Sequence, residues 1–222
     1  MILDRAKIGC VTGLQAEAQW LSASGFMVKV GGGTTAGARR AAQQLVKDGA
    51  RALVSFGLAG GLKPGVKPGV VLVPETVLIG SESCSCDSLL VAFLGGPTPG
   101  AILAGEEIVA SAQEKHALFR VGQPVAVDLE SGAVARVAQE SDLPFAVLRA
   151  VADSAERDLP PAALLALKED GSLDIVRIAW SIAGNPWQIP KLIAVGRDAK
   201  AARKALLERL KALPAELYPA PV

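Results

Sequence analysis

The chain has 222 residues, half of them hydrophobic and a fifth charged, with a formal net charge of +1. That length can bury a full core, and a single domain over 1–222 is the default. The near-neutral balance leaves no electrostatic footprint for nucleic acid, and an aromatic content of 4% is too low for a platform that stacks single-stranded bases.

Lys7–Gly13 (KIGCVTG) reads as a short buried strand ending in a turn, and Leu14–Ser22 as a helix with Glu17 in its first turns. A carboxylate there complements the positive end of the helix. Met27–Val30 is a second strand. Gly31–Gly37 (GGGTTAG) then leads into a helix from about Ala38 to Lys47. Such a glycine run can cradle an anion or simply let helix and sheet pack closely. It is neither a G-x-G-x-x-G fingerprint in context nor a P-loop. Ala52–Phe56 (ALVSF) is a central strand by its continuous apolar character, and it runs into Gly57–Leu62 (GLAGGL). After the turn-rich loop Lys63–Gly69 (KPGVKPG), Val70–Pro74, Thr76–Ile79 and Ala101–Ala104 are further strands. Ser81–Ser88 is polar and carries Cys84 and Cys86, whose spacing does not suit a structural zinc site. Val109–Leu118 reads as a helix with Lys115 and the sole histidine, His116, near its end.

The stretch Pro124–Asp158 organises the rest. Val125–Val127 runs into Asp128-Leu129-Glu130-Ser131-Gly132, a helix-like segment covers Ala133–Glu140, and Phe145–Leu148 runs through Arg149 to Asp153. This is strand, helix, strand, with carboxylates at the carboxyl ends of both strands, the edge where open α/β sheets bind ligands. Pro160–Leu167 begins a helix with prolines in its first turn. Leu173–Ala183 reads as an amphipathic helix, Asn185–Gln188 as a turn, Pro190–Leu213 as one or two helices with a basic side, and PAELYPAPV as a loose tail. The helical carboxyl-terminal segment thus spans about 173–213. Strands with intervening helices imply a three-layer αβα fold around a central mixed sheet. No apolar run reaches transmembrane length. The odd cysteine count and the absence of a signal peptide favour a cytoplasmic chain, at most peripheral at the inner membrane face.

Four blocks in order resemble the nucleoside phosphorylase/nucleosidase superfamily, nearest in chemistry to methylthioadenosine/S-adenosylhomocysteine nucleosidases. They are Ile8–Glu17 (IGCVTGLQAE), Phe56–Leu62 (FGLAGGL), Val127–Ala133 (VDLESGA) and Leu148–Glu156 (LRAVADSAE). VSFGLAGGL, VDLESGAVARVA and LPFAVLRAVADSAERDLPPAAL resemble most the hopanoid-associated branch. The resemblance implies a phosphorylase/hydrolase-like fold that cleaves the N-glycosidic bond of a 5′-substituted adenosine, with adenosylhopane as the implied substrate. It implies Glu17 as the carboxylate that activates the attacking water and Asp153 as the general acid at purine N7. Glu130 would grip the ribose hydroxyls and Leu129 would pack on the sugar. Gly60 and Leu58 belong to the glycine-rich block at the substrate, and Ile108 and Val109 would line the base pocket. No cofactor and no metal are implied. The partners are a nucleoside, lipid-linked in the favoured case, and a second copy in a homodimer, with no nucleic acid.

The chemistry asks for this set. Loss of adenine passes through an oxocarbenium-like state, and adenine leaves poorly unless N7 is protonated, so Asp153 needs a raised pKa in a partly dry pocket. Glu17 has to be ionised to polarise water, and Glu130 can accept two ribose hydroxyls. Leu58 and Ala152 stand where the family has serines. Ser55 stands where true phosphorylases have the glycine-block arginine, and Glu17 would repel phosphate. Hydrolysis is therefore expected ahead of phosphorolysis, with a methylthioadenosine/S-adenosylhomocysteine nucleosidase and a non-enzymatic nucleoside binder as the other readings. Leu173, Ile175, Ile178, Trp180, Ile182, Trp187, Ile189 and Leu192 could line a path for a polycyclic tail or could be ordinary helix packing. Lys191–Lys204 could meet anionic headgroups or be a solvated face.

Overall fold

The computed structural model describes residues 3–164, 170–172 and 174–217. β1 (Leu3–Asp4) and a 3-10 turn lead into β2 (Ile8–Thr12), α1 (Gln15–Leu21), β3 (Met27–Val30), α2 (Thr35–Lys47) and β4 (Ala52–Gly61). Then come β5 (Val71–Leu72), β6 (Thr76–Ile79), β7 (Glu82–Ser85), α3 (Ser88–Phe93), β8 (Ile102–Ala104) and α4 (Ala112–Arg120). The organising stretch forms β9 (Ala126–Asp128), α5 (Ser131–Glu140) and β10 (Phe145–Asp153). α6 (Pro161–Leu164), α7 (Ile175–Gly184), a 3-10 turn at Pro186–Gln188, α8 (Ile189–Ala212) and β11 (Glu216–Leu217) complete the described chain.

Nine strands make one mixed sheet, with β3-β2-β4-β9-β8-β6-β7 in order and β10 beside β4. β4 and β10 are the longest and run parallel, from Phe145↔Leu53 to Asp153↔Gly60. Their side chains alternate between the two faces, as a pleated strand requires. Leu53, Phe145, Val147 and Val151 join α2 and α5 in one core, with Ala38, Ala42, Leu45, Val134 and Val137. Val54, Phe56, Ala146 and Leu148 join the other core, with Leu21, Leu90, Leu206 and Leu210 from α1, α3 and α8. Each buried leucine or phenylalanine contributes about 1.5–3 kcal/mol over leaving it in water. Helix layers therefore cover both faces, and the expected αβα fold with a mixed sheet is observed.

Several boundaries differ from the sequence reading. β4 runs on through the glycine block to Gly61, because Gly60 and Gly61 pair antiparallel with Val127 and Ala126 of β9. α2 begins three residues early, where Thr34 Oγ1 accepts from Gly37 N at 3.1 Å. α4 begins at Ala112 under a Ser111 cap, which leaves Ile108 and Val109 in the preceding loop. Polar Ser81–Ser88 holds an edge strand paired with β6. Part of the tail pairs too, Leu217 with Leu3 and Glu216 with Asp4. Leu173, most of the second half of Pro160–Leu167 and the last five residues lie outside the described residues. No described helix is long and apolar enough to cross a membrane.

Candidate active site

The carboxyl ends of β4, β9 and β10 open on a cavity of about 310 Å³. Glu17, Leu58, Gly60, Ile108, Val109, Leu129, Glu130 and Asp153 all line it, together with Arg149, Asp128, Leu159, Val195 and Ala199. The eight residues singled out from sequence are thus brought to one place. A larger depression of about 660 Å³ lies between β7 and α5. Its charged lining residues are Glu82, Asp87 and Arg136; Glu82 pairs with Arg136 and Asp87 caps α3 at Leu90 N, so none needs a ligand to account for it.

Glu17 reaches the cavity from the first turn of α1. The N-cap residue, Leu14, has no side chain that can cap this helix, and Glu17 bends back to accept from its backbone N–H. Its Oε2 accepts from Gly13 N at 3.0 Å and Leu14 N at 2.9 Å, and its Oε1 from Leu58 N at 2.8 Å. The helix-terminus role and the cavity-facing role belong to one side chain. Burial pushes the carboxyl above its ordinary value, and Arg149 and the three N–H groups oppose that push. Gly57 makes the approach possible. It sits at φ 149°, and a Cβ there would lie 2.7 Å from Arg149 Nη1 and against Glu17.

Arg149 is the hub. It is 1% exposed in the middle of an otherwise apolar strand. Its Nε lies 2.9 Å from Asp128 Oδ2, and its Nη2 donates to Glu130 Oε2 at 2.9 Å and to Ser55 Oγ at 2.7 Å. Its Nη1 donates to the Leu58 carbonyl at 3.1 Å. Burial would lower its pKa, but Asp128, Glu130 and Glu17 outweigh burial and hold it up. Asp128 anchors the start of α5 in turn, accepting from Glu130 N at 3.1 Å, Ser131 N at 2.8 Å and the Ser131 hydroxyl.

Glu130 is 5% exposed. Burial drives its pKa up to about 7, Arg149 opposes, and Asp128 and Glu17 add to the rise. In the unfolded chain the group keeps a value near 4.5. The folded state therefore binds more protons between these values. The stabilising contribution is present in full below about 4.5 and is lost as pH rises through about 7. Glu130→Gln is expected to reduce the slope of unfolding free energy against pH over this window, read by urea unfolding at stepped pH. An unchanged slope would place its origin in other groups.

Asp153 ends β10 and pairs with Lys115 of α4, a lysine of 0% exposure. The ammonium also donates to the carbonyls of Ser154 at 3.0 Å and Arg157 at 2.9 Å, so all three of its hydrogens have acceptors. Burial raises the Asp153 pKa, and Lys115 works against it. Asp153 Oδ2 is held by the lysine. Oδ1 lies on the Gly60 side, 3.5 Å from where a Cβ of that glycine would be.

The sequence reading did not single out Arg149, Asp128 or Lys115 as site residues. Arg149 had a signal: an arginine inside an apolar strand needs buried carboxylates. Asp128, three residues before Ser131, carried a capping signal. Lys115 had none, since EKHALFR reads as a solvated helix. The Leu58 departure is mild in geometry, because its backbone N–H and carbonyl make the polar contacts. Ser55, at the place of the phosphorylase arginine, supplies a hydroxyl to Arg149. Of the residues that could have lined an apolar path or packed between helices, Ile175, Trp180, Trp187 and Ile189 do neither: they are exposed and do not line the cavity, whose carboxyl-terminal wall is Val195 and Ala199. His116 lies on α4 and does not line it either. Among the described residues no cluster of His, Cys, Asp and Glu could hold a metal ion.

A sequence model of the phosphorylase superfamily matches residues 21–86 and 97–176, more than half of the chain. The chain belongs to the phosphorylase superfamily. Superfamily structures of similar fold include the 5′-methylthioadenosine/S-adenosylhomocysteine nucleosidase of Helicobacter pylori with butyl-thio-DADMe-Immucillin-A. It is 16% identical, with 93% of this chain and 98% of that chain covered and a TM-score of 0.64. The S-adenosylhomocysteine nucleosidase of Streptococcus pyogenes with 5-methylthiotubericidin is 18% identical, with 93% and 97% covered and a TM-score of 0.63. The futalosine hydrolase of Helicobacter pylori strain 26695 is 16% identical, also with 93% and 97% covered and a TM-score of 0.63. At these identities the likeness is one of fold. A sequence search of curated proteins finds no match.

Proposed function

We propose that this superfamily member cleaves the N-glycosidic bond of a 5′-substituted adenosine by hydrolysis and releases adenine. One observation carries the reading: Glu17, Glu130 and Asp153, drawn from three separate parts of the chain, line a single cavity. In this scheme water is held and polarised by Glu17 below C1′. The oxocarbenium-like state gains from the nearby carboxylates, Glu130 accepts the ribose hydroxyls, and Asp153 serves the departing purine at N7. Water takes the place of adenine at C1′, and the proton lost by the water balances the one gained by adenine.

The charges at the cavity support water over phosphate. Among the described lining residues the only cation is Arg149, and it is already committed to Asp128, Glu130, Ser55 and Leu58, its Nε ion-paired with Asp128 without a hydrogen-bond acceptor. A dianion would meet Glu17, Glu107, Asp128, Glu130 and Asp153 instead. The apolar wall of Leu14, Leu58, Leu159, Ala163, Val195 and Ala199 favours an apolar 5′ group. The finer reading is therefore adenosylhopane converted to ribosylhopane in hopanoid biosynthesis.

The test is to offer methylthioadenosine, S-adenosylhomocysteine and adenosylhopane, each with and without phosphate, and to measure free adenine. Turnover without phosphate, fastest on adenosylhopane, is expected. Stoichiometric phosphate consumption would overturn hydrolysis, and rapid methylthioadenosine turnover with adenosylhopane untouched would overturn the lipid-linked substrate.

A further inference from the structure

We propose that the outer side of α7 and the start of α8 is a docking surface for an anionic bilayer. α7 has no buried residue at all, although its composition is that of a core helix. With the first turns of α8 it presents Ile175, Val176, Trp180, Trp187, Ile189 and Ile193 to solvent, and the two tryptophans are 76% and 88% exposed. Apolar residues gathered on one surface in this way mark an interaction site.

The elbow is held in place by a built polar contact. Gln188 is buried between α6, α7 and α8. Its Nε2 donates to the Ser181 carbonyl at 2.7 Å and to the Ser181 hydroxyl at 3.1 Å, and its Oε1 accepts from Ala162 N at 3.0 Å. The tryptophans are therefore set outward by the packing of three helices.

The charges select the occupant. From Ile175 to Arg197 the chain carries the cations Arg177, Lys191 and Arg197, all exposed, and no carboxylate. Asp174, 3.5 Å from Arg177, caps the helix just before this stretch. Tryptophan and isoleucine flanked by cations suit the boundary between headgroups and acyl chains of an anionic membrane. A second copy of the chain fits less well, because a two-fold contact sets this same stretch against itself and the stretch carries no carboxylate to pair with its cations.

The placement bears on the cavity. Ile193 is exposed on one side of α8, while Val195, two residues on and about 200° round the helix, lines the cavity. A bilayer against the outer side would lie one helix away from the cavity wall. Docking stands without the proposed reaction, and its test does not read adenine.

The full chain is floated with vesicles of phosphatidylcholine alone or mixed with phosphatidylglycerol. Expected are flotation with the mixed vesicles, a blue shift of tryptophan emission to which two of the three tryptophans contribute, and binding weaker by about tenfold or more on phosphatidylcholine alone. Trp180→Gln with Trp187→Gln should abolish flotation with an unchanged melting temperature. Arg177→Gln, Lys191→Gln and Arg197→Gln together should remove the preference for phosphatidylglycerol. Wild-type protein left in the aqueous fraction with both vesicles overturns the proposal. So does a solution dimer that the tryptophan changes convert to monomer, since a second copy would then cover the face.

Discussion

Arg149→Met is expected to lower the unfolding free energy by about 3–5 kcal/mol, the usual penalty for removing one partner of a buried ion pair. For a chain of this size that is about 6 to 20 °C in Tm. Methionine fills much of the volume, so the loss arises from charge rather than from a cavity. Asp128 and Glu130 would be left buried beside Glu17 with no cation among them. The deficit should widen as pH rises, because each of these carboxylates has to ionise without a partner. Where Glu17 and Glu130, both pushed up by burial, take up protons the penalty shrinks. Urea unfolding of wild type and variant at acidic and neutral pH checks both parts. Arg149→Lys should recover part of the stability, since an ammonium restores the charge but cannot reach Asp128, Glu130, Ser55 and the Leu58 carbonyl at once. A deficit independent of pH would show that packing, not charge, is what Arg149 supplies.

Glu17→Gln is expected to slow adenine release by about 10²- to 10⁴-fold, the range for loss of a general base, with kcat falling more than KM rises. The substitution is isosteric, so the site should keep its shape. It does set an amide nitrogen where a carboxylate oxygen now accepts from a backbone N–H, at a cost of about 1–3 kcal/mol. The measurement is steady-state release from the best substrate of the panel, with Tm as the check on folding. Undiminished turnover in a folded variant would remove Glu17 from the reaction and leave it as a helix-terminus carboxylate.

The pair of Asp153 with Lys115 changes how the proposed acid has to work. Sequence logic asks Asp153 to be protonated in a dry pocket. Burial supplies the upward push, but a fully covered ammonium on Oδ2 favours the ionised form. A carboxylate balanced in this way suits sharing a proton with N7 as negative charge builds on the leaving purine. It is less suited to holding a tightly bound proton in the resting state. Glu17 and Glu130 are also pushed up by burial, and Arg149 opposes the push on both, but Glu17 alone has three backbone N–H groups acting with it, while Glu130 has the Arg149 hydrogen bond. The three carboxylates differ in what holds them, which is how one cavity can give them unlike work.

The sequence by itself determined the layers and the edge. Continuous apolar runs at Ala52–Phe56 and Phe145–Leu148 demanded a sheet covered on both faces, and carboxylates just beyond Val127 and at Asp153 marked the binding edge. These are local features, carried by periodicity and by residue type along one segment. Family-like blocks added Glu17, whose neighbours in sequence read only as a helix start. What tertiary structure decided depends on partners far apart in the chain. The glycine block became strand because β9 and β10 offered hydrogen bonds along it. Arg149 became a hub because Ser55 and Leu58 of β4 and Asp128 and Glu130 at the end of β9 converge on it. Lys115 became an interior cation because the Asp153–Arg157 segment folds over it. The apolar face of α7 was equally compatible with packing and with exposure, since an amphipathic pattern names a face but not its cover. Only the placement of α6 and α8 around Gln188 turned Trp180 and Trp187 outward.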